Sequence, residues 1–371
     1  MSEFKFFPEQ VVWEITYACN MRCIHCGTSA GVPRSDELTT EESLALIDEL
    51  ADLGCRGLTL SGGEPLMRKD WPVLARRSKE RGIGTFLITN GYMVTEDIAR
   101  QFVDIGFGNI GVSFDGSRDV HNYIRQHKSS YERALNAMRH LRAAGQRFEA
   151  VTQVSRVNID DLDHIYKDLV DVGASEWRIQ MTTVTGRMQK DMVMDLELFE
   201  RMIDKIMELK RDGRVPIDVG ENIGYYGCKG SKLLDDVPYL GCYAGTRVAG
   251  ICSNGDVKGC LSQQPEFVEG NIRESSFTRI WNDPTRFLYN RKFTRDTASG
   301  ECRDCQFLPL CRGGCMTTSV SASGERANNP YCIYQIERKR GIEPTITEQM
   351  AELLAPFRAE HERVVVPDDQ R

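Results

Sequence analysis

The chain has 371 residues, 41% of them hydrophobic and 27% charged, with a formal net charge of −7. Such a composition is ordinary for a soluble globular protein and excludes a disordered or fibrous chain, while the acidic balance argues against nucleic-acid or anionic-membrane partners, which need clustered Lys and Arg. The N-terminal "MSEFKFFPEQ" lacks the basic start and apolar core of a secretory signal, and no window reaches the ~18 apolar residues of a membrane span, so a cytoplasmic protein is expected.

From Val11 to about Lys210, short β-rich runs alternate with helical patterns. Strands are predicted at 11–17, 57–62, 84–89, 109–114, 148–154 and 176–182. The first helix is read from "TTEESLALIDELADLG", where Leu44, Ile47 and Leu50 recur on one face and Gly54 supplies a stop; others are predicted near 71–81, 95–105, 131–144, 160–172 and 195–213. Six strand–helix units imply a parallel α/β sheet with right-handed crossovers, either doubly wound or curved into a partial barrel. In both, chemistry belongs at the carboxyl ends of the strands. The polar and glycine-rich words sit there: Cys19 to Cys26 after the first strand, "SGGEP" (61–65) after the second, "TNG" (89–91) after the third and "SFDG" (113–116) after the fourth. After about residue 213 the alternation stops, and the text turns rich in Gly and Cys, with too little apolar material for a core without metal or disulfide staples. The last segment reads as one amphipathic helix and a polar tail.

Thirteen cysteines are many for a reducing compartment, and they point to metal or redox chemistry. Cys19, Cys23 and Cys26 are spaced Cys-x3-Cys-x2-Cys. Three thiolates can hold three irons of a [4Fe–4S] cube and leave one iron open, which marks a catalytic rather than a structural site. A zinc site completed by His25 is the competing reading, but His25 stands between two ligands and would have to fold back on itself. In "SGGEP", Gly62 and Gly63 permit a close backbone approach to a ligand, Pro65 stiffens the exit and Glu64 offers a carboxylate to an ammonium group.

The cysteine triplet followed by "GGEP" resembles the radical S-adenosylmethionine (SAM) superfamily. The later cysteines resemble the seven-cysteine signature of its SPASM extension: Cys242, Gly255 and Cys260, then Cys302-x2-Cys305-x5-Cys311-x3-Cys315, then Cys332. The resemblance implies a partial (β/α)6 TIM-type barrel followed by a small Cys-rich SPASM domain with little regular structure. The expected organisation is 1–215 for the barrel, 216–240 for a bridging segment, 241–340 for SPASM and 341–371 for a C-terminal helix and tail. It also implies SAM and three [4Fe–4S] clusters as cofactors. By resemblance, Cys19, Cys23 and Cys26 hold the SAM-binding cluster, and Gly62, Gly63 and Glu64 meet the SAM amino group. Asn90, Ser113 and Asp115 line the ribose and methionyl moiety. Ser155, Arg156 and Gln180 belong to the segments that hold adenine and the SAM carboxylate, and Arg125 matches an arginine seen at this point in the family.

Counting assigns Cys242, Cys260 and Cys315 to part of a first auxiliary cluster, and Cys302, Cys305, Cys311 and Cys332 to a fully ligated second. Cys252 is the natural fourth ligand of the first, with Cys228 open as an alternative; Cys228 is also a candidate proton or hydrogen-atom donor. Cys55 reads as a buried small hydrophobe. A pair of zinc ribbons is the competing reading of this half.

The expected activity is reductive cleavage of SAM to a 5′-deoxyadenosyl radical that oxidatively modifies or crosslinks a ribosomally synthesised peptide or protein. Expected partners are that peptide, a separate leader-recognition adaptor, since the triplet starts only nineteen residues in, and a reductant such as flavodoxin or ferredoxin. The alternatives are oxidation or decarboxylation of a small molecule or tetrapyrrole, as in haem biosynthesis, and a non-catalytic multi-cluster electron carrier.

Overall fold

The computed structural model describes residues 6–344 and 346–357, so the polar tail expected at the C-terminus lies outside the described residues from 358 onward. The six predicted strands are present as β1 (Gln10–Glu14), β2 (Gly57–Ser61), β3 (Gly84–Thr89), β4 (Ile110–Ser113), β5 (Phe148–Val154) and β6 (Glu176–Met181). Four more follow: β7 (Ile217–Val219), β8 (Val248–Ile251), β9 (Asp256–Lys258) and β10 (Gly270–Asn271). They form one sheet in the order β10-β9-β8-β1-β2-β3-β4-β5-β6-β7, parallel from β8 through β7 and antiparallel at β9 and β10. The sheet does not close, because β10 and β7 are its two edges.

Between the strands run α1 (Thr40–Asp52), α2 (Trp71–Glu80), α3 (Glu96–Ile105), α4 (Arg118–Arg125), α5 (Ser130–Ala144), α6 (Leu162–Val172) and α7 (Leu196–Asp212). Local chemistry explains their limits. Thr39 and Glu42 form a reciprocal capping box at the start of α1, and Gly54 leaves it with a left-handed backbone. Side-chain alternation then decides which face of the sheet is dry. In β6, Trp177, Ile179 and Met181 are buried while Glu176, Arg178 and Gln180 are half-exposed, and β3 repeats the pattern. The buried face packs against Leu46, Ile47, Phe102, Leu169 and Ile206 of the helices in one continuous core, each such side chain contributing about 1.5–3 kcal/mol. The other face stays accessible, and the strand-end loops stand around it.

The cysteine-rich half has only short helices, among them α8 (Cys228–Leu233). It is nevertheless joined to the sheet. β8 pairs in parallel with β1, Gln10 opposite Val248 and Trp13 opposite Ile251, and Ile251, Val257, Phe277 and Trp281 enter the main core. A second, smaller core gathers Tyr225, Tyr226, Phe307, Leu308 and Tyr334 around Cys302 and Cys305. Among the described residues no helix is long and apolar enough to cross a membrane.

Candidate functional site

The loop after β1 carries Cys19, Cys23 and Cys26, and much of its backbone is tied down. Cys19 N–H donates to Gly31 O (2.9 Å), Ile24 N–H to Ile124 O (2.9 Å) and the Tyr17 hydroxyl to Thr28 O (2.6 Å). Glu37 accepts from Tyr17 N–H at 2.6 Å and from the Thr16 hydroxyl. From the far side of the sheet Arg187 donates through Nε to Cys23 O (2.8 Å) and through Nη1 to Ala30 O (3.0 Å), and its own N–H bonds Cys26 O. All three thiols are free. Burial pushes Cys19 up to about 11, with Glu64, Cys23 and Cys26 adding to the rise; Cys23 is raised by burial too, against the pull of Arg125. Cys19 and Cys23, which resist ionisation on their own, suit a metal that binds them as thiolates, and Cys26 stands on the same loop. The donor set therefore fits a three-thiolate iron–sulfur cluster.

A methyl carbon on Gly62 would lie 2.4 Å from Thr16 O, and one on Gly63 would lie 2.2 Å from Ala18 O, so both glycines of "SGGEP" pack closely against the chain that leads into the cysteine loop. Gly63 N–H bonds Thr16 O (2.8 Å) and Glu64 N–H bonds Ala18 O (2.7 Å). Glu64 is fully buried and accepts from the Thr89 hydroxyl (2.8 Å), Leu66 N–H (3.2 Å) and Asn90 N–H (2.8 Å). Desolvation nonetheless lifts it to about 7. Its carboxylate is committed to the ends of β2 and β3. Asn90 donates through Nδ2 to Asn20 Oδ1 (2.7 Å), which ties the β3 end to the cysteine loop.

Asp115, after β4, is also fully buried. Its Oδ2 meets Arg125 Nη2 at 2.5 Å and His25 Nε2 at 3.1 Å, and Oδ1 accepts from Gln153 N–H at 3.0 Å. Burial alone would raise this carboxyl, but Arg125 and then His25 hold it well below the usual range. Arg125 Nη1 reaches Cys23 Sγ at 3.8 Å. Asp115 and Arg125 thus face each other and the cysteine loop, where SAM contact had been expected. Ser113 ends β4, half-buried. Ser155 closes a turn with Asn158, whose Nδ2 donates to Asp115 O (2.8 Å), and Gln180 pairs with Gln153 on the accessible face of the sheet. Arg156, the residue after Ser155, makes an exposed ion pair with Asp195 at 2.7 Å, at the start of α7.

The later cysteines fall into two groups. Burial raises Cys260 to about 11 and Cys315 to about 12, and Cys242 is the largest charged contributor to both. Burial likewise raises Cys302, Cys305, Cys311 and Cys332, the last three pushed further by their neighbours within this set. Tyr225 stands between the groups. Its hydroxyl oxygen accepts from Cys315 N–H (2.9 Å) and Asn329 Nδ2 (3.0 Å), and burial raises it far above the ordinary phenol, with Cys315, Cys332 and Cys311 adding. Its ring lies 4.8 Å from that of Tyr239, whose buried hydroxyl has no hydrogen-bond partner among the described residues.

Cys252 does not join Cys242, Cys260 and Cys315. It begins the β8–β9 turn, where it faces Lys258, Glu14, Asp256 and Arg34, while the hairpin register carries Cys260 past the opposite end, beside Gly250. Cys228 opens α8 and donates to Glu343 O at 3.0 Å, its own N–H bonded to Glu337. Cys55 is buried, as expected. Sequence reasoning passed over Asn20, Gln153, Asn158, Arg187 and Tyr225. Asn20 lies inside the Cys19–Cys26 spacing; no local signal marks Tyr225.

Residues 13–169 match the sequence model of the Radical SAM superfamily, and residues 242–306 match that of SPASM, an iron–sulfur cluster-binding domain. The chain is 29% identical to an AdoMet-dependent heme synthase of Methanosarcina barkeri (strain Fusaro / DSM 804), over 90% of this chain and 98% of that protein. It is also 29% identical to the mycofactocin maturase MftC of Mycolicibacterium smegmatis, over 83% and 78% respectively. Its fold resembles the crystal structure of Streptococcus suis SuiB bound to precursor peptide SuiA, with TM-score 0.72 at 16% identity, covering 89% of this chain and 76% of that one.

Proposed function

Since the chain belongs to the radical SAM superfamily and carries a SPASM domain, we propose that it oxidatively modifies or crosslinks a side chain of a ribosomally made peptide. In this reading Cys19, Cys23 and Cys26 hold the SAM-reactive cluster, Cys302, Cys305, Cys311 and Cys332 a fully ligated auxiliary cluster, and Cys242, Cys260 and Cys315 a third with one position to fill. A cluster held by Cys19, Cys23 and Cys26 would supply one-electron reductive cleavage of SAM, the chemistry that provides a radical for hydrogen abstraction from substrate carbon.

The residues of the chain do the positioning. Arg187 and Glu37 fix the cysteine loop by its carbonyls and amides, so that the three thiols hold their spacing without a fourth. Glu64 and Asn90 lock the β2 and β3 ends to that loop. The accessible face of the sheet, with Gln153 and Gln180, receives the substrate and shields it from bulk water. The observation that supports the oxidative reading is the pair of cysteine groups around Tyr225, since clusters held there would be able to take a second electron from the substrate. Likeness to MftC supports a peptide as that substrate.

A second reading, side-chain oxidation of a tetrapyrrole, is favoured by the heme synthase match across 98% of that relative. Anaerobically reconstituted protein given SAM, a low-potential reductant and either candidate precursor peptides or an iron coproporphyrin separates the two. A peptide that loses two hydrogens while 5′-deoxyadenosine accumulates supports the first reading. Turnover of the porphyrin with every peptide unchanged overturns it in favour of the second.

A further inference from the structure

Among the described residues, Arg125 is the one cation brought into hydrogen-bond range of a thiol of the triplet, with Nη1 3.8 Å from Cys23 Sγ and the side chain almost wholly buried. A buried guanidinium needs a counter-charge, and Asp115 supplies it at 2.5 Å. That carboxylate is held in turn by Gln153 N–H and by His25, which comes from inside the triplet itself. On its other side His121 accepts the Asp115 N–H at Nδ1, and burial and then Arg125 push this imidazole down to about 3, so it adds no charge. The result is a fixed ion pair whose guanidinium end rests on the thiol and whose carboxylate end is tied to His25 and Gln153.

We propose that Arg125, aimed by Asp115 and His25, is a positioning residue that raises the reduction potential of the cluster held by Cys19, Cys23 and Cys26. Hydrogen bonds to cluster sulfurs and nearby charge are the levers by which a protein moves such potentials. The step concerned is the addition of one electron to the cluster by an external one-electron donor, with no bond made or broken. The inference rests on the reading of the triplet as the SAM-reactive cluster, and it reassigns Asp115 and Arg125 from SAM contact to control of that cluster.

The test is a redox titration of the reconstituted full-length protein followed by electron paramagnetic resonance. The signal that disappears when Cys19, Cys23 and Cys26 are all replaced by Ala identifies the cluster; if no signal disappears, the reading of the triplet fails, whatever Arg125 does. At a poise that half-reduces this cluster in the parent protein, Arg125→Gln is expected to lower the reduced-to-oxidised ratio tenfold or more, which is about 59 mV for a one-electron couple. Arg125→Lys, which keeps the charge, should recover most of the ratio. Because Arg125→Gln strands a buried carboxylate, the neutral pair Arg125→Gln with Asp115→Asn is titrated beside it and is expected to show the same fall. A parent-like ratio in the neutral pair, or equal falls in the Lys and Gln variants, overturns the proposal.

Discussion

Replacing Gly63 by Ala tests the close approach on which the cysteine loop depends. Gly63 does not have a positive φ, so the backbone itself tolerates a side chain and the cost is steric. The new carbon would lie 2.2 Å from Ala18 O and 2.7 Å from both Ala18 C and Tyr17 O, whereas carbon contacts settle at about 3.5–4.0 Å. Loop and turn must part by roughly 1 Å. That stretches the bonds from Gly63 N–H to Thr16 O and from Glu64 N–H to Ala18 O, each worth about 1 kcal/mol. Overpacking adds about 1–3 kcal/mol, so the total is roughly 3–5 kcal/mol. The control is Gly82→Ala, where φ is +76° and no atom lies within 4 Å of the added carbon, and only the left-handed backbone costs about 1–2 kcal/mol. Urea unfolding of the metal-free proteins reads the difference directly, and iron content after reconstitution reads the displaced thiols. If Gly63→Ala unfolds at the Gly82→Ala midpoint and loads iron like the parent, the backbone contact does not hold the loop.

Arg187→Ala removes two charged hydrogen bonds to the carbonyls of Cys23 and Ala30, about 3–6 kcal/mol, and should lower iron retention under a chelator at least tenfold without changing the circular dichroism. Cys252→Ser should leave iron and sulfide content unchanged, because Cys252 sits apart from Cys242, Cys260 and Cys315; loss of a cluster's worth of iron would refute that separation. Glu42 is pushed from 4.5 down to about 2, first by the Arg273 side chain and then by Thr39 N–H. A depressed carboxyl gives stability that is complete above about 4.5 and fades as pH falls towards 2, so Glu42→Gln should flatten that part of the acid-unfolding curve and nothing above it. Arg156→Ala breaks only an exposed pair with Asp195; a stability change of about 0.2–1 kcal/mol is expected, with SAM cleavage intact.

The parts of the molecule legible from sequence are those with local signals. Short β-rich runs alternating with helical patterns made β1 through β6 readable, and thiol spacing separated the triplet from the two later groups. What escaped depends on distant pairing. β7 is three residues long and follows Pro216, too short for periodicity. β8 reads as "VAGI" among turns and becomes a strand only because β1 offers a free edge. That the glycines of "SGGEP" pack against the chain about 45 residues earlier is something no composition reveals. Cys252 looked like a ligand by counting, and the register of the β8–β9 hairpin removes it. That Asp115 and Arg125 are each other's counter-ions required the turn of α4 that aims one at the other.

The pairing of β8 with β1 has a practical meaning for anyone dividing this protein. β1 carries Val11 and Trp13 and leads straight into the cysteine loop, and β8 covers what would otherwise be its bare outer side. Cutting the chain ahead of residue 248 would strip that cover and leave a row of unpaired amides and carbonyls beside apolar side chains, a template for strand-to-strand aggregation. The first half is therefore a poor candidate for separate expression, and the two halves should melt in one transition rather than two.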